Sequence, residues 1–280
     1  MHRLLISLVT IFILGSAPAQ VLPPLGPEYL QRDRLQLSGD SLRFCVVNDN
    51  MLADYHRDLA TELAATQLLS AEIINVDPPR PSEPLDYRLQ LTEPQLYYLL
   101  ANECEVFMGM ALSSSLNRWE WLLVSQPYHL SRSVFVTTDP DLQQWTDLPL
   151  DEQIGTRIQT SADIQLVTYL NTLPESERWR RVPYYNNLIA LEQLLAGQTA
   201  VSLLWEPAVV RFEADNPDAP QLHRLPASPL SIITLGLGLG FRSQDTFIQT
   251  ALDTGLRELE ELGILSELAE KHSLPGLPLD

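Results

Sequence analysis

A helix-to-strand unit occurs twice in the chain, and that echo restricts the fold more than any other feature. The second copy reads Leu194-Leu195-Ala196-Gly197-Gln198-Thr199-Ala200-Val201-Ser202-Leu203-Leu204-Trp205-Glu206-Pro207. Leu188, Leu191, Leu194 and Leu195 have helical spacing and end at Gly197, where glycine takes the left-handed cap conformation without a Cβ clash. The apolar run 201–204 then reads as a strand buried on both faces, as in a parallel sheet. Trp205 and Glu206 follow, on a loop at the carboxyl end of that strand. The first copy, Leu99-Leu100-Ala101-Asn102-Glu103-Cys104-Glu105-Val106-Phe107-Met108-Gly109-Met110, aligns with it without a gap. Leu99 falls on Leu194, Asn102 on Gly197, Val106 on Val201 and Met110 on Trp205. Asparagine is the next-best residue for a left-handed cap, so Asn102 is expected to stop its helix. One unit per half predicts two similar α/β lobes whose strand ends face a shared cleft, since ligands bind beyond the carboxyl ends of such strands. A chance echo between two ordinary α/β units is the alternative.

The N-terminus supplies an address. Met1-His2-Arg3, the apolar run 4–14 and Ala17-Pro18-Ala19 form the basic, hydrophobic and small-x-small parts of a signal peptide. Cleavage near Ala19-Gln20 is expected, giving a periplasmic protein with no membrane insertion. Losing Arg3 from 18 basic residues leaves 17 against 36 acidic ones, a net charge of −19. That balance argues against nucleic acid or an anionic membrane as a partner.

Cys45 lies in the strand-like run 42–47, and Cys104 opens the strand of the first module. If those strands are parallel neighbours, the two cysteines come within bridging range, and export favours a bond between them. No CxxC spacing or nearby histidine supports a metal-binding or reactive thiol pair.

Between these landmarks, residues 20–41 form a proline-containing lead-in. A helix is expected over 55–69, strands over 72–76, 122–124 and 133–138, and a strand within 151–159. Thr160-Ser161 reads as the N-cap and start of a helix over 164–170. Strands near 181–185, 222–225 and 232–241 follow. The tail, 245–272, has the spacing of two helices with Gly263 between them.

That order resembles the type II periplasmic solute-binding proteins, in particular extracellular family 3, over roughly residues 42–273. The resemblance rests on the opening strand 42–47, Gly109 through Arg118 to Ser125-Gln126-Pro127-Tyr128, Leu195-Ala196-Gly197 before a strand, and Gly238 to Phe241 with the closing helices. It implies an α/β fold of two lobes, mixed sheets with helices on both faces, and two crossover strands. One lobe is expected to comprise 42–137 with 229–280, the other 138–228, preceded by the signal peptide 1–19 and the extension 20–41.

The family implies an arginine at the place of Arg118, donating two parallel hydrogen bonds to a ligand carboxylate. Its aspartate for a ligand ammonium falls on Trp205, and tryptophan cannot make that charge pair. A narrower resemblance is to solute-binding-like proteins associated with quinoprotein (methanol or other alcohol) dehydrogenases. It rests on Cys45, Cys104, Trp205-Glu206-Pro207 and the Asn48-Asp49-Asn50 loop. The expected ligand-binding set is Asn48, Asp49, Asn50, Met110, Ser113, Arg118, Thr160, Ser161, Trp205 and Glu206.

Duller readings stay open beside these. Arg118 could pair with Glu120, Trp205 could fill space between lobes, and Ser113, Thr160 and Ser161 could be ordinary turn and cap residues. No GxSxG elbow, P-loop or HExxH occurs, and the histidines have no metal-ligand spacing. No catalytic residue, metal or cofactor is therefore expected. The expectation is a monomeric, non-enzymatic binding protein for a small polar molecule, with or without a carboxylate. Its partner is either an ABC permease or, as an accessory protein, a periplasmic quinoprotein dehydrogenase.

Overall fold

The computed structural model describes residues 40–48, 51–77, 91–112, 119–158, 160–231 and 234–277. The expected signal peptide, 1–19, and nearly all of the expected lead-in, 20–41, fall outside them.

Three parallel strands open the fold: β1 (Ser41–Val47) lies between β2 (Ser70–Val76) and β3 (Val106–Leu112). Helix α1 (Ala53–Thr66) connects β1 to β2 and buries His56, Leu59, Ala60 and Leu63, the i, i+3, i+4, i+7 stripe of an amphipathic helix. Helix α2 (Glu93–Tyr98) precedes β3, starting with a capping box between Thr92 and Gln95. The strands β4 (Leu122–Val124) and β5 (His129–Thr137) follow.

In the second half, β6 (Gln153–Arg157), α3 (Ser161–Leu170), β7 (Arg180–Tyr184), α4 (Asn187–Leu195), β8 (Val201–Trp205), α5 (Glu206–Asp215) and β9 (His223–Leu225) run in order. The chain then returns as β10 (Thr234–Arg242) and closes with α6 (Thr246–Glu261) and α7 (Ile264–Lys271). Pairing runs β2-β1-β3-β10-β5-β8-β6-β7, with β4 on β10 and β9 on β5.

Strand β5 joins the halves. Its residues 129–132 pair antiparallel with β10, from Leu237 opposite His129 to Thr234 opposite Arg132. Its residues 133–137 pair with β8, from Trp205 opposite Ser133 to Val201 opposite Thr137. The changeover between the two halves of the sheet therefore falls between Arg132 and Ser133.

Cores form separately on the two halves. Phe44, Leu59, Leu239, Phe241, Leu256 and Leu259 belong to one cluster on the β1–β3–β10 half. Trp145, fully buried and stacked on Phe135 at 4.8 Å, centres another on the β6–β8 half. Trp145 donates its indole N–H to the carbonyls of Ala227 and Ser228 at 3.2 and 2.9 Å. The cysteines do pair: Cys45 and Cys104 are bonded, with Cα atoms 5.6 Å apart.

Several expectations need correction. Asn102 does not form a left-handed cap. It sits in a π-helical turn, Leu99–Glu103, that continues α2, and Cys104 N–H reaches back to Leu99 O at 3.0 Å. The wider turn carries the chain to Cys104 with ordinary right-handed dihedrals, and Asn102 Nδ2 donates to Tyr98 O at 2.9 Å instead. No loop follows β8: α5 starts at Glu206 with Trp205 as its N-cap, because Pro207 suits the first turn of a helix. Helix α1 ends at Thr66, before the expected 69, since Leu68 turns left-handed at φ 58°. Strand β8 is parallel to β6 but antiparallel to β5, although Val201 to Leu204 are buried as expected.

Candidate functional site

The carboxyl ends of β3 and β8 converge on the junction strands. Leu112, the last residue of β3, lies opposite Gly236 of β10, which lies opposite Leu130 of β5. Trp205, the last residue of β8, lies opposite Ser133 of β5. Leu130 and Ser133 are three residues apart, roughly 10 Å along the strand.

On the first half, Asn48 follows β1 and donates its N–H to Val76 O at 2.8 Å. Its side-chain oxygen accepts from Arg57 Nη2 at 3.2 Å. The same guanidinium reaches Asn75 Oδ1 at 2.8 Å and Asp54 Oδ1 at 2.7 Å. Arg57 thus ties the ends of β1 and β2 to the start of α1. Met110 is 6% exposed within β3. It lies opposite Gly238 of β10, and its side chain leans over Gly240, where a Cβ would meet Met110 Cγ at 2.9 Å. The Leu112 side chain likewise leans over Gly238, where a Cβ would meet its Cδ2 at 2.9 Å, so the glycines of β10 make room for the side chains of β3. Asp49, Asn50, Ser113 and Arg118 lie outside the described residues.

On the second half, Thr160 and Ser161 follow β6, the parallel neighbour of β8. Thr160 caps α3, accepting Asp163 N–H at 3.1 Å and donating to Arg157 O at 2.9 Å. Ser161 is exposed at the first position of α3. Asp163 beneath it accepts from Thr156 Oγ1 at 2.7 Å and from Arg181 Nη1.

Trp205 and Glu206 are engaged by β5. The Trp205 indole packs against the core of the first half and donates to Ser131 Oγ at 2.7 Å. Glu206 Oε2 accepts from Arg132 Nε at 2.7 Å and its Oε1 from Arg132 Nη2 at 3.1 Å. The carboxylate raises the Arg132 pKa, first by these hydrogen bonds and then by its charge. Bidentate pairing of this kind fixes geometry as well as charge. Ser131 and Arg132 carried no signal in the sequence, because both partners lie 74 residues away.

Behind β3, Gly109 takes φ +81° against the His56 ring. His56 Nε2 and the Tyr128 hydroxyl are 2.9 Å apart. Burial lowers the His56 pKa to about 3, with the neighbouring His129 adding to the shift, and lowers that of His129 to about 4. Both rings are therefore neutral near pH 7. Among the described residues, no group of three or more His, Cys, Asp or Glu side chains could hold a metal ion. The described groups can hydrogen-bond and stack against a ligand.

No family model matches the chain, and no curated protein matches it. Solved structures do. An ancestral cationic amino acid solute-binding protein is 16% identical with a TM-score of 0.61, covering 88% of this chain and 97% of its own. The second substrate-binding domain of GlnP from Lactococcus lactis, in an open conformation, is 15% identical at 0.59, covering 85% and 97%. An amino acid ABC transporter substrate-binding protein from Streptococcus pneumoniae, bound to L-arginine, is 16% identical at 0.58, covering 85% and 96%. Likeness at such identities establishes the fold, the two-lobed type II periplasmic-binding-protein architecture. The narrower resemblance to dehydrogenase-associated proteins gains nothing from these structures.

Proposed function

We propose that this chain is a secreted, non-enzymatic solute-binding protein that takes a small polar ligand between its lobes for an ABC-type uptake system. The carrying observation is the convergence of β3 and β8 on one stretch of β5. We take the lobes as residues 42–137 with 229–280, and 138–228. In support, the core clusters divide near those bounds. The signal peptide remains our reading of residues 1–19, and no helix among the described residues is long and apolar enough to cross a membrane.

In this reading Asn48 and its loop, with Ser113 and Arg118, meet the ligand from the first lobe, and Thr160 and Ser161 meet it from the second. Arg118 would hold a carboxylate. Trp205 would form an apolar wall. Binding shifts a hinge equilibrium only by the ligand's preference for the closed state.

The test is thermal denaturation against a panel of amino acids and amine-free carboxylates. A ligand at 100 times its Kd adds about 2.7 kcal/mol of stability. Stabilisation that Arg118→Ala abolishes supports the reading; a flat response across the panel opposes it.

A second reading, an accessory protein of a quinoprotein alcohol dehydrogenase with a modified cleft, is favoured by one observation. Trp205 and Glu206 bond to Ser131 and Arg132 rather than standing free. Capture of a purified periplasmic quinoprotein dehydrogenase by the immobilised chain, without any small molecule, would favour it over the receptor.

A further inference from the structure

Two consecutive residues of the second lobe grip two consecutive residues of β5 beyond the point where their own strand pairing stops. Backbone pairing between β8 and β5 ends with Trp205 opposite Ser133. The Trp205 side chain nevertheless reaches Ser131, and Glu206 reaches Arg132. Both targets belong to the segment of β5 paired with β10. Successive side chains on a strand point to opposite faces. The contacts therefore hold β5 from both sides at the changeover between the two halves of the sheet.

We infer that Trp205–Ser131 and Glu206–Arg132 form a two-sided clasp that sets the angle between the lobes without a ligand. A hinge bends where dihedrals can change without breaking contacts, and here the changeover between Arg132 and Ser133 is spanned by three side-chain hydrogen bonds. Changing the lobe angle at this point strains or breaks them together. The Ser131 side of the clasp is sealed, Ser131 being 1% exposed. The charged side is part-open: the Glu206 side chain is 13% exposed and that of Arg132 42%. Arg224 also feels both charges, and it is held by Glu213 through two contacts of 2.6 Å. Salt thus reaches the Arg132–Glu206 half of the clasp and leaves the indole half intact.

The experiment is a pulsed electron spin resonance distance measurement between labels on Ala65→Cys of α1 and Ile164→Cys of α3, in ligand-free full-length protein. The native clasp gives one narrow interlobe distance at low salt that broadens at about 1 M salt, where the Debye length falls to about 3 Å. Glu206→Gln gives the broad distribution at low salt and no further salt response. Trp205→Phe, which keeps the ring and removes the N–H donor, gives an intermediate width that still responds to salt. The wild-type salt series needs no substitution, so a poorly folding variant leaves the inference testable. Distributions for wild type and both variants that superimpose at low and high salt would overturn it, as would a wild-type distribution already broad at low salt.

Discussion

The Tyr128 hydroxyl and the Nε2 atom of His56 lie 2.9 Å apart, with 1% and 3% of the two residues exposed. Tyr55 stands against this pair, its ring centre 5.8 Å from that of His56 and 6.0 Å from that of His129. Lys271 and His272 close the other side of Tyr55 through Asp58, at 2.7 and 2.8 Å. Two neutral histidines in a water-poor shell make stability depend on acid. Their folded pKa values, about 3 and about 4, lie below the ordinary histidine value of 6.5. The unfolded chain therefore takes up protons first as pH falls, and stability declines from pH 6.5 towards pH 4. For His129 the full effect is about 3 kcal/mol. Urea midpoints measured from pH 7.5 to 4.5 should fall steeply, and His129→Asn should flatten the curve. The Asp58 carboxyl is held below its ordinary value of 3.8, so its contribution is lost only at lower pH.

Reduction should be costly. Cys45 and Cys104 are 59 residues apart, and the cross-link restricts the unfolded chain by about 4 kcal/mol on the loop-closure estimate. Urea unfolding of Cys45→Ala/Cys104→Ala should show a loss of that size. Adding dithiothreitol should lower the wild-type midpoint and leave the variant unchanged.

Gly109 and Gly263 have similar dihedrals and different surroundings. Both have positive φ, +81° and +77°, but a Cβ at Gly109 would lie 2.6 Å from His56 Cε1, while one at Gly263 meets nothing within 4 Å. Gly263→Ala should cost about 1 kcal/mol, the left-handed penalty alone. Gly109→Ala adds overpacking and should cost about 3 kcal/mol. Equal losses in denaturant titrations would contradict this account.

Leu68 runs the other way. It holds φ 58° at the end of α1 with 94% of its surface exposed. Leucine gains little burial there and bears the left-handed strain. Leu68→Gly should raise stability by about 0.5 kcal/mol, seen as an upward shift in the urea midpoint at unchanged slope.

Local chemistry carried much of this fold into the sequence. Gly197 and Gly263 are left-handed where helices stop, and Thr160 caps α3. Cys45 in β1 is bonded to Cys104, two residues ahead of the neighbouring strand β3. Asn102 misled because a π-helical turn can end a helix without any left-handed residue. Glu206 misled because the proline after it starts a helix as readily as it marks a loop. The clasp was invisible in principle. Its partners, Ser131 and Arg132, have no periodic or spacing signature, and they meet Trp205 and Glu206 only once β5 and β8 are paired.

The place of β10 in the sheet bears on the order in which the molecule can assemble. The first lobe holds its central strand, residues 234–242, between β3 and β5, so that sheet stays open in the middle until those residues have been made. The second lobe's β6, β7 and β8 all come from one continuous stretch, 153–205, and need no later strand to pair. A chain cut near residue 228 would thus retain a second lobe and be left with an unjoined β1–β2–β3 ribbon. Ribosomal synthesis therefore supplies the parallel strands of the second lobe before it supplies the strand that completes the first.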